Sequence, residues 1–285
     1  MRPHAVRVIA VIVSILTTAV AAQPRSFSSE VLFAPTFPTT DRLITNEYAY
    51  WNSTSTTAVK SADWEMTAGS LFAKSGYGWT GKIDRLSPGP TSTTGTNSAT
   101  FRLNTKRYTF GDVRVRLTTQ FIRLEDNPVA FPVAWDGMHI WLRYQTQYHL
   151  YYASVARRDG AVLIKKKCPG GFSNGGTYYT LTPEIKGYPI ALGKWRDVGA
   201  TVVNYPDGSV RITLLVNGNF VVGVNDKGVG CAPIRAPGAV GIRGDNAEFL
   251  FTRFEVSSLA PATPTPTPTP RPTLTPTVGP TRSGC

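Results

Sequence analysis

The chain has 285 residues, 41% of them hydrophobic, enough for a substantial core, and its 30 basic against 18 acidic residues give a formal charge of +12. Only His139 and His149 follow the first 22 residues and no Cys pair has zinc spacing, which excludes a multi-histidine or paired-cysteine zinc site. Beyond those 22 residues no segment approaches about 18 consecutive apolar residues, the length of a membrane-spanning helix.

The first element is a leader. Arg2 and Arg7 precede an apolar run over residues 8–20, and small residues stand at Ala19, Ala21 and Ala22, the pattern of a secretory signal peptide over residues 1–22. The mature protein is therefore expected to be exported, soluble and free of the membrane, starting near Gln23. Residues 23–260 read as one domain. Setting aside the four Arg of the leader and the tail leaves 26 basic against 18 acidic groups, or +8. For an exported protein that excess points to an anionic surface or an acidic polysaccharide rather than to nucleic acid.

No segment keeps a helical period, whereas short alternating runs recur between turn residues. In chain order the expected strands are EYAYW around Tyr48, DWEMTAGSLFAK from Asp63, ATFRL around Phe101 and DVRVRLTTQFI from Asp112. A long stretch from Trp135 to Lys167 follows, then TYYTLT, KWRDVGATVVNY, SVRITLLVNGNFVVGV, GAVGIRG and AEFLFTRFEV. Asp159-Gly160, Asp207-Gly208 and Asn217-Gly218 mark hairpin turns. Val210, Ile212, Leu214 and Val216 mark one buried face. About a dozen strands in under 240 residues predict an all-β, two-sheet antiparallel β-sandwich of jelly-roll type.

The stretch WDGMHIWLRYQTQYHLYYASVARRDGAVLIKKK is the richest in chemistry. Alternation sends Met138, Ile140 and Leu142 to the core and His139, Trp141 and Arg143 to the other face. On the following strand Leu150 and Tyr152 are expected in the core, with His149, Tyr151 and Arg157 joining the exposed face and Lys165 and Lys167 beyond. Tyr144, Tyr152, Tyr178 and Tyr179 read as packing residues. Cys168 and Cys231 are the only cysteines of the domain, and the oxidising compartment implied by export predicts a disulfide between them. The chain-entropy model gives such a loop roughly 3 to 4 kcal/mol.

The order of WEMTAGSLFA, YHLYYASVARRDGAVLIKKK, GKWRDVGATV with RITLLVNGNFV, and GAVGIRGDNAEFLFTRFEV resembles the concanavalin A-like lectin and glucanase superfamily, its laminin G-like members above all, over most of residues 40–256. The resemblance implies the two-sheet fold. The tail PATPTPTPTPRPTLTPTVGP resembles the Pro/Thr linkers that join modules of secreted bacterial polysaccharide-degrading enzymes. Residues 261–285 are read as an extended linker that leads to a further module, with Cys285 as that module's first cysteine.

Three kinds of chemistry are open to the domain, two of them on the His139 face. Glycoside hydrolysis needs two carboxyl groups, and Asp63 and Glu65 share a strand face, yet the Glu-x-Asp-x-x-Glu strand motif of the superfamily's retaining glucanases is missing. A polysaccharide lyase needs a cation on the uronate and a His or Tyr acid and base; His139, Arg143 and Tyr151 are the candidate catalytic residues. The resemblance to jelly-roll alginate and glucuronan lyases stops at residue types, because their Arg-Ser/Thr-Glu-x-Arg and Gln-Ile-His strings are absent. Binding alone would use the same face, with Trp141, Tyr148, His149, Arg157, Lys165 and Lys167 holding a polysaccharide, acidic chains included. An adhesion or interaction domain acting through rim loops is the remaining reading. A monomer is expected and no cofactor, although Asp245, Asn246 and Glu248 could give oxygens to a structural calcium. GGFSNGG, residues 170–176, lacks the Lys and helix of a phosphate loop and reads as a loop at the sheet rim.

Overall fold

A computed structural model describes residues 29–83, 100–126 and 131–259; the leader and the linker lie outside the described residues. The elements are β1 (Val31–Phe33), β2 (Arg42–Asn46), α1 (Tyr48–Trp51), β3 (Trp64–Ala68), β4 (Ser70–Lys74), β5 (Tyr77–Trp79), β6 (Thr100–Thr105) and β7 (Val113–Leu124). They continue with β8 (Gly137–Thr146), β9 (His149–Arg157), β10 (Leu163–Ser173), β11 (Gly176–Thr180), β12 (Trp195–Asn204), β13 (Val210–Val216), β14 (Asn219–Asp226), β15 (Ala239–Asp245) and β16 (Ala247–Ser258).

The strands form two antiparallel sheets, the jelly-roll sandwich that the spacing of alternating runs predicts. A nine-stranded sheet runs β14-β13-β12-β7-β16-β5-β4-β2, with β1 also on β16, and a seven-stranded sheet runs β11-β10-β9-β8-β15-β6-β3. The period of two explains the core. Val113, Val115 and Leu117 of β7, Val198, Ala200 and Val202 of β12, and Ile212 and Leu214 of β13 face Met138, Ile140 and Leu142 of β8, Ala153 of β9, Ile164 of β10 and Ile242 of β15. These buried side chains form one apolar cluster between the sheets.

Local chemistry overrides the strand expectation around Tyr48. EYAYW forms a single helical turn, closed by Trp51 N–H to Glu47 O at 2.9 Å and Asn52 N–H to Tyr48 O at 2.9 Å. Glu47 Oε2 accepts the Gly69 N–H at 3.0 Å and Trp51 Nε1 donates to Thr67 O at 2.8 Å, so the turn is pinned to β3 and its neighbouring loop. Five residues of aromatic alternation are too few for period alone to separate strand from helix.

The Cys168–Cys231 disulfide forms, with its Cα atoms 5.9 Å apart. It fastens β10 to the segment after β14. GGFSNGG is the tip of the β10–β11 hairpin, with Asn174 at φ +48. No helix among the described residues is long and apolar enough to cross a membrane.

Candidate functional site

The expected single face of His139, Trp141, Arg143, His149 and Tyr151 does not form. On β8, Met138, Ile140 and Leu142 enter the core and His139 and Trp141 point the other way, as alternation requires. The ladder to β9 then pairs Trp141 with Tyr152 and Leu142 with Tyr151, and register shifts fall on both sides of that stretch. Cross-strand partners share a face. Tyr151 is therefore a core residue, and Leu150 and Tyr152 join Trp141 on the outer face, the reverse of the expected phase. A one-residue change of register moves every side chain to the other face.

Arg143 is turned inward by the irregularity between Leu142 and Thr146, where it adopts φ +50. Its Nη2 donates to Asp112 at 2.7 Å and to Asn204 at 3.3 Å, and its Nη1 donates to Arg235 O. Tyr151 donates to Asp226 Oδ2 at 2.6 Å and accepts the Ile234 N–H at 3.0 Å. His149 is half-buried opposite Thr146, and burial followed by the charge of Lys166 lowers its pKa. Tyr148 sits at the hairpin tip against Gly175 and Gly176. Arg157 is buried and paired with Asp159 at 2.6 Å and Glu184 at 3.0 Å. Of the expected catalytic trio, only His139 faces outward with Trp141, Lys165 and Lys167.

The outer face of the seven-stranded sheet can be followed through its registers. One row runs Glu65, Asn104, Gly241, Trp141, Tyr152, Lys165 and Thr180. A second runs Arg102, Arg243, His139 and Ser154. Lys167 pairs with Tyr178 alongside. Gly241 is required at its place: a Cβ there would lie 2.2 Å from Leu103 O and 2.7 Å from Asn104 Oδ1, so β15 packs closely against β6 and the Asn104 side chain at this point of the row.

The middle of this face is buried and cationic. Arg243 forms a bidentate pair with Asp245, Nε to Oδ2 at 2.7 Å and Nη2 to Oδ1 at 2.9 Å, and its Nη1 donates to the Tyr178 hydroxyl at 2.9 Å. Burial would raise the Asp245 pKa, but Arg243 outweighs it and holds the carboxyl below its usual range. Arg102, paired in register with Arg243, has its pKa lowered by burial and then by that like charge. Lys167 donates to Gln147 O at 2.8 Å and lies 4.9 Å over the Tyr178 ring; burial, then Arg243 and Arg102, push it down to about 8. His139 is fully buried and pushed by burial down to about 3. The neutral imidazole stacks on Tyr152 at 4.3 Å, with Nδ1 at 3.1 Å from Ser154 Oγ and Nε2 at 3.6 Å from Asp245.

Toward β3 the face opens into an aromatic mouth. Trp141 stacks on Tyr144 at 5.2 Å, Tyr144 stands 6.3 Å from Tyr108, and Tyr50 and Trp51 meet at 4.5 Å. Tyr50, Trp51 and Tyr108 are exposed, whereas Trp141 is 2% exposed and its indole N–H has no partner among the described residues. Tyr108 donates to Glu65 at 3.3 Å. Burial raises the Glu65 pKa, with the Tyr108 bond and Lys106 opposing only in part. Sequence reading set Tyr144, Tyr152 and Tyr178 aside as packing and missed Tyr50, Trp51 and Tyr108. The alternation of β10, which puts Lys165 and Lys167 on one face, was the available signal for the partners of Tyr152 and Tyr178.

The oxygens considered for calcium have other partners. Asp245 is taken by Arg243, while Glu248 accepts from Trp79 Nε1 at 3.0 Å and pairs with Arg123 at 2.8 Å. Among the described residues no group of three or more His, Cys, Asp or Glu side chains could hold a metal ion.

No protein-family model matches the chain, and no curated protein matches it. Similar solved structures include the carbohydrate binding module CBM66 from Bacillus subtilis, 14% identical, covering 68% of this chain and 95% of that chain with a TM-score of 0.44. An endo-1,3-beta-glucanase from Streptomyces sioyaensis is 12% identical, covering 85% and 100%, with a TM-score of 0.44. The carbohydrate recognition domain of Emp46p is 9% identical, covering 75% and 94%, with a TM-score of 0.45. Likenesses of this degree carry no argument about what the chain binds, and the two-sheet sandwich stands on its own strand pairing.

Proposed function

We propose that the chain is an exported domain that recognises polysaccharide through the outer face of its seven-stranded sheet, entered at the mouth formed by Tyr50, Trp51 and Tyr108. One observation carries the reading. A succession of rings leads from exposed Tyr108 through Tyr144 to Trp141, and ends at a buried indole N–H without a partner among the described residues. Sugars stack their apolar faces on exposed rings such as Tyr50, Trp51 and Tyr108, and a hydroxyl admitted past Tyr144 would satisfy the indole donor. Behind the mouth, Arg102 and Arg243 stand at Asp245 with Lys167 close to both arginines, three cations to one acid, which favours chains carrying carboxylate or sulfate groups. The disulfide fits export.

The geometry supports binding over lyase chemistry. An acid and a base must reach the same bond, yet His139 is enclosed on the outer face and Tyr151 is buried on the inner one.

Affinity electrophoresis of the full chain in gels containing neutral and acidic polysaccharides tests this reading, with ultraviolet detection of unsaturated ends on the same mixtures. Tyr108→Ala and Trp51→Ala should each weaken retention by about 5- to 30-fold, the loss of one stacked ring. Retention by none of the polysaccharides, or equal retention of both variants and the parent, would remove the mouth as a glycan site. An unsaturated product would replace binding with catalysis.

A further inference from the structure

The outer face of the nine-stranded sheet carries a groove of about 850 Å³, within the range of sites that enclose small ligands. It lies on the opposite side of the sandwich from the aromatic mouth. Because Val113, Val115 and Leu117 fill the core, Arg114, Arg116 and Thr118 of β7 project outward into it. Gly199 sits between Arg116 and Leu215 in register and leaves the floor low. One wall comes from the chain around Phe37, held by Phe37 against Phe251 at 5.2 Å and by Gly76 N–H to Pro38 O at 3.2 Å.

The charges in this groove are only partly paired. Arg116 is bonded to Glu255 at 2.9 Å, and the Thr118 hydroxyl donates to Asp197. Arg114 and Arg253 have neither an ion pair nor a hydrogen bond among the described residues, and both line the groove. Arg253 is placed there by the register shift between Thr252 and Glu255 and adopts φ +53, where the backbone favours glycine. Strained backbone of this kind clusters at functional sites.

We propose that this groove is a second binding site, for sugar residues bearing an anionic group. Arg114 and Arg253 donate hydrogen bonds to the carboxylate or sulfate oxygens, while Asp197 and Glu255 accept hydrogen bonds from ring hydroxyls. The site is independent of the aromatic mouth, and no group is shared between them.

The test uses the full chain and two probes, a polygalacturonate oligosaccharide and a sulfated dextran oligosaccharide, in titration calorimetry at low and high salt. Arg253→Gly relieves the backbone conformation while removing the guanidinium, so its melting temperature should be no lower than that of the parent. Its affinity for the probe that binds should fall at least tenfold, and Arg114→Ala with Arg253→Gly should abolish binding at this site. Whichever probe is retained identifies the anion as carboxylate or sulfate. Tyr108→Ala serves as the counter-variant, leaving this site intact and weakening only the mouth. Unchanged affinity in the Arg114/Arg253 double variant, or no binding of either probe by the parent at millimolar concentration, would overturn the proposal; loss in Tyr108→Ala alone would leave the mouth as the sole site.

Discussion

Two buried polar clusters lie back to back through the seven-stranded sheet, and they are finished differently. On the inner side, Asp226 Oδ2 accepts Lys166 Nζ at 2.7 Å and the Tyr151 hydroxyl at 2.6 Å, and Oδ1 accepts the N–H groups of Gly228 and Val229 at 3.0 and 3.1 Å. Lys166 also donates to Cys231 O at 2.6 Å, and Tyr151 accepts from Ile234. On the outer side, Asp245 serves Arg243 with Arg102 and Lys167 close by, while the Trp141 indole N–H and His139 Nε2 lack hydrogen-bond partners among the described residues. On the inner side Asp226, Lys166 and Tyr151 satisfy one another and so hold the fold together, although Nε of the neighbouring Arg143 has no hydrogen-bond partner among the described residues. The outer cluster, with donors and positive charge in excess among the described residues, is the one that the proposed function assigns to a glycan.

The largest effects should fall on the inner cluster. Asp226→Asn leaves the Lys166 charge buried without its counter-ion and should cost about 3 to 5 kcal/mol in urea denaturation. Adding Lys166→Met should restore part of that loss, because the orphaned charge goes with it. A single variant that unfolds no more easily than the parent would show that the cluster is not structural. Burial alone would raise the Asp226 carboxyl, but the Lys166 and Tyr151 bonds outweigh it and hold the pKa below its usual value. Its contribution is therefore present above the unfolded carboxylate pKa, about 3.9, and lost as pH falls through the lower folded value.

The disulfide comes next. Replacing Cys168 and Cys231 by Ala opens a loop with a sequence separation of 63 and should lower stability by roughly 4 kcal/mol. The same link bears on the comparison, since it fixes the segment that supplies Cys231 O and the Ile234 N–H to the inner cluster. If the double variant keeps its midpoint, the inner network closes that segment without help.

How far these clusters were legible in the sequence differs by side. The sheet faces of β7, β13 and β8 follow from strict alternation, and the cysteine pair follows from compartment and number. The phase of β9 did not follow, because LYYA offers apolar or aromatic side chains to both faces and only the register of Trp141 with Tyr152 decides between them. Arg143 was unreadable for a related reason, since its inward turn rests on a backbone irregularity that no residue type announces. Lys166 lies between two lysines that face outward, and its partner Asp226 is 60 residues away. A run of three lysines carries no sign that the middle one is a core residue. Tyr50 and Trp51 were hidden by the short helix.

A smaller effect separates the two clusters by function. Trp141→Phe removes the buried N–H, which has no bond to lose among the described residues, so the stability cost should be confined to the lost ring atoms and the small cavity they leave, roughly 1 to 2 kcal/mol. Retention on polysaccharide should nevertheless weaken by about fivefold or more, the worth of one hydrogen bond. A clearly larger loss of stability with unchanged retention would mean that the indole N–H serves the fold, and the contrast between the two clusters would fail.

The smallest expected effect is a pH slope from Lys167. Its folded pKa is pushed down to about 8 by burial, Arg243 and Arg102, whereas the unfolded side chain titrates near about 10.4. Between those values the unfolded chain binds more protons than the folded one, so this group makes stability rise with pH, starting near pH 8 and flat below it. Lys165, also lowered by burial, contributes with the same sign. Across the interval from about pH 7 to pH 8.5 the gain from Lys167 should stay under about 1 kcal/mol, so it is best read as a difference between the parent and Lys167→Met. Binding should move the opposite way: an acidic polysaccharide held by the outer cluster loses a cation as Lys167 deprotonates, and its retention should decline above pH 8 in the parent but not in the variant. Equal slopes in both proteins would place Lys167 in contact with water and remove it from the unfinished cluster.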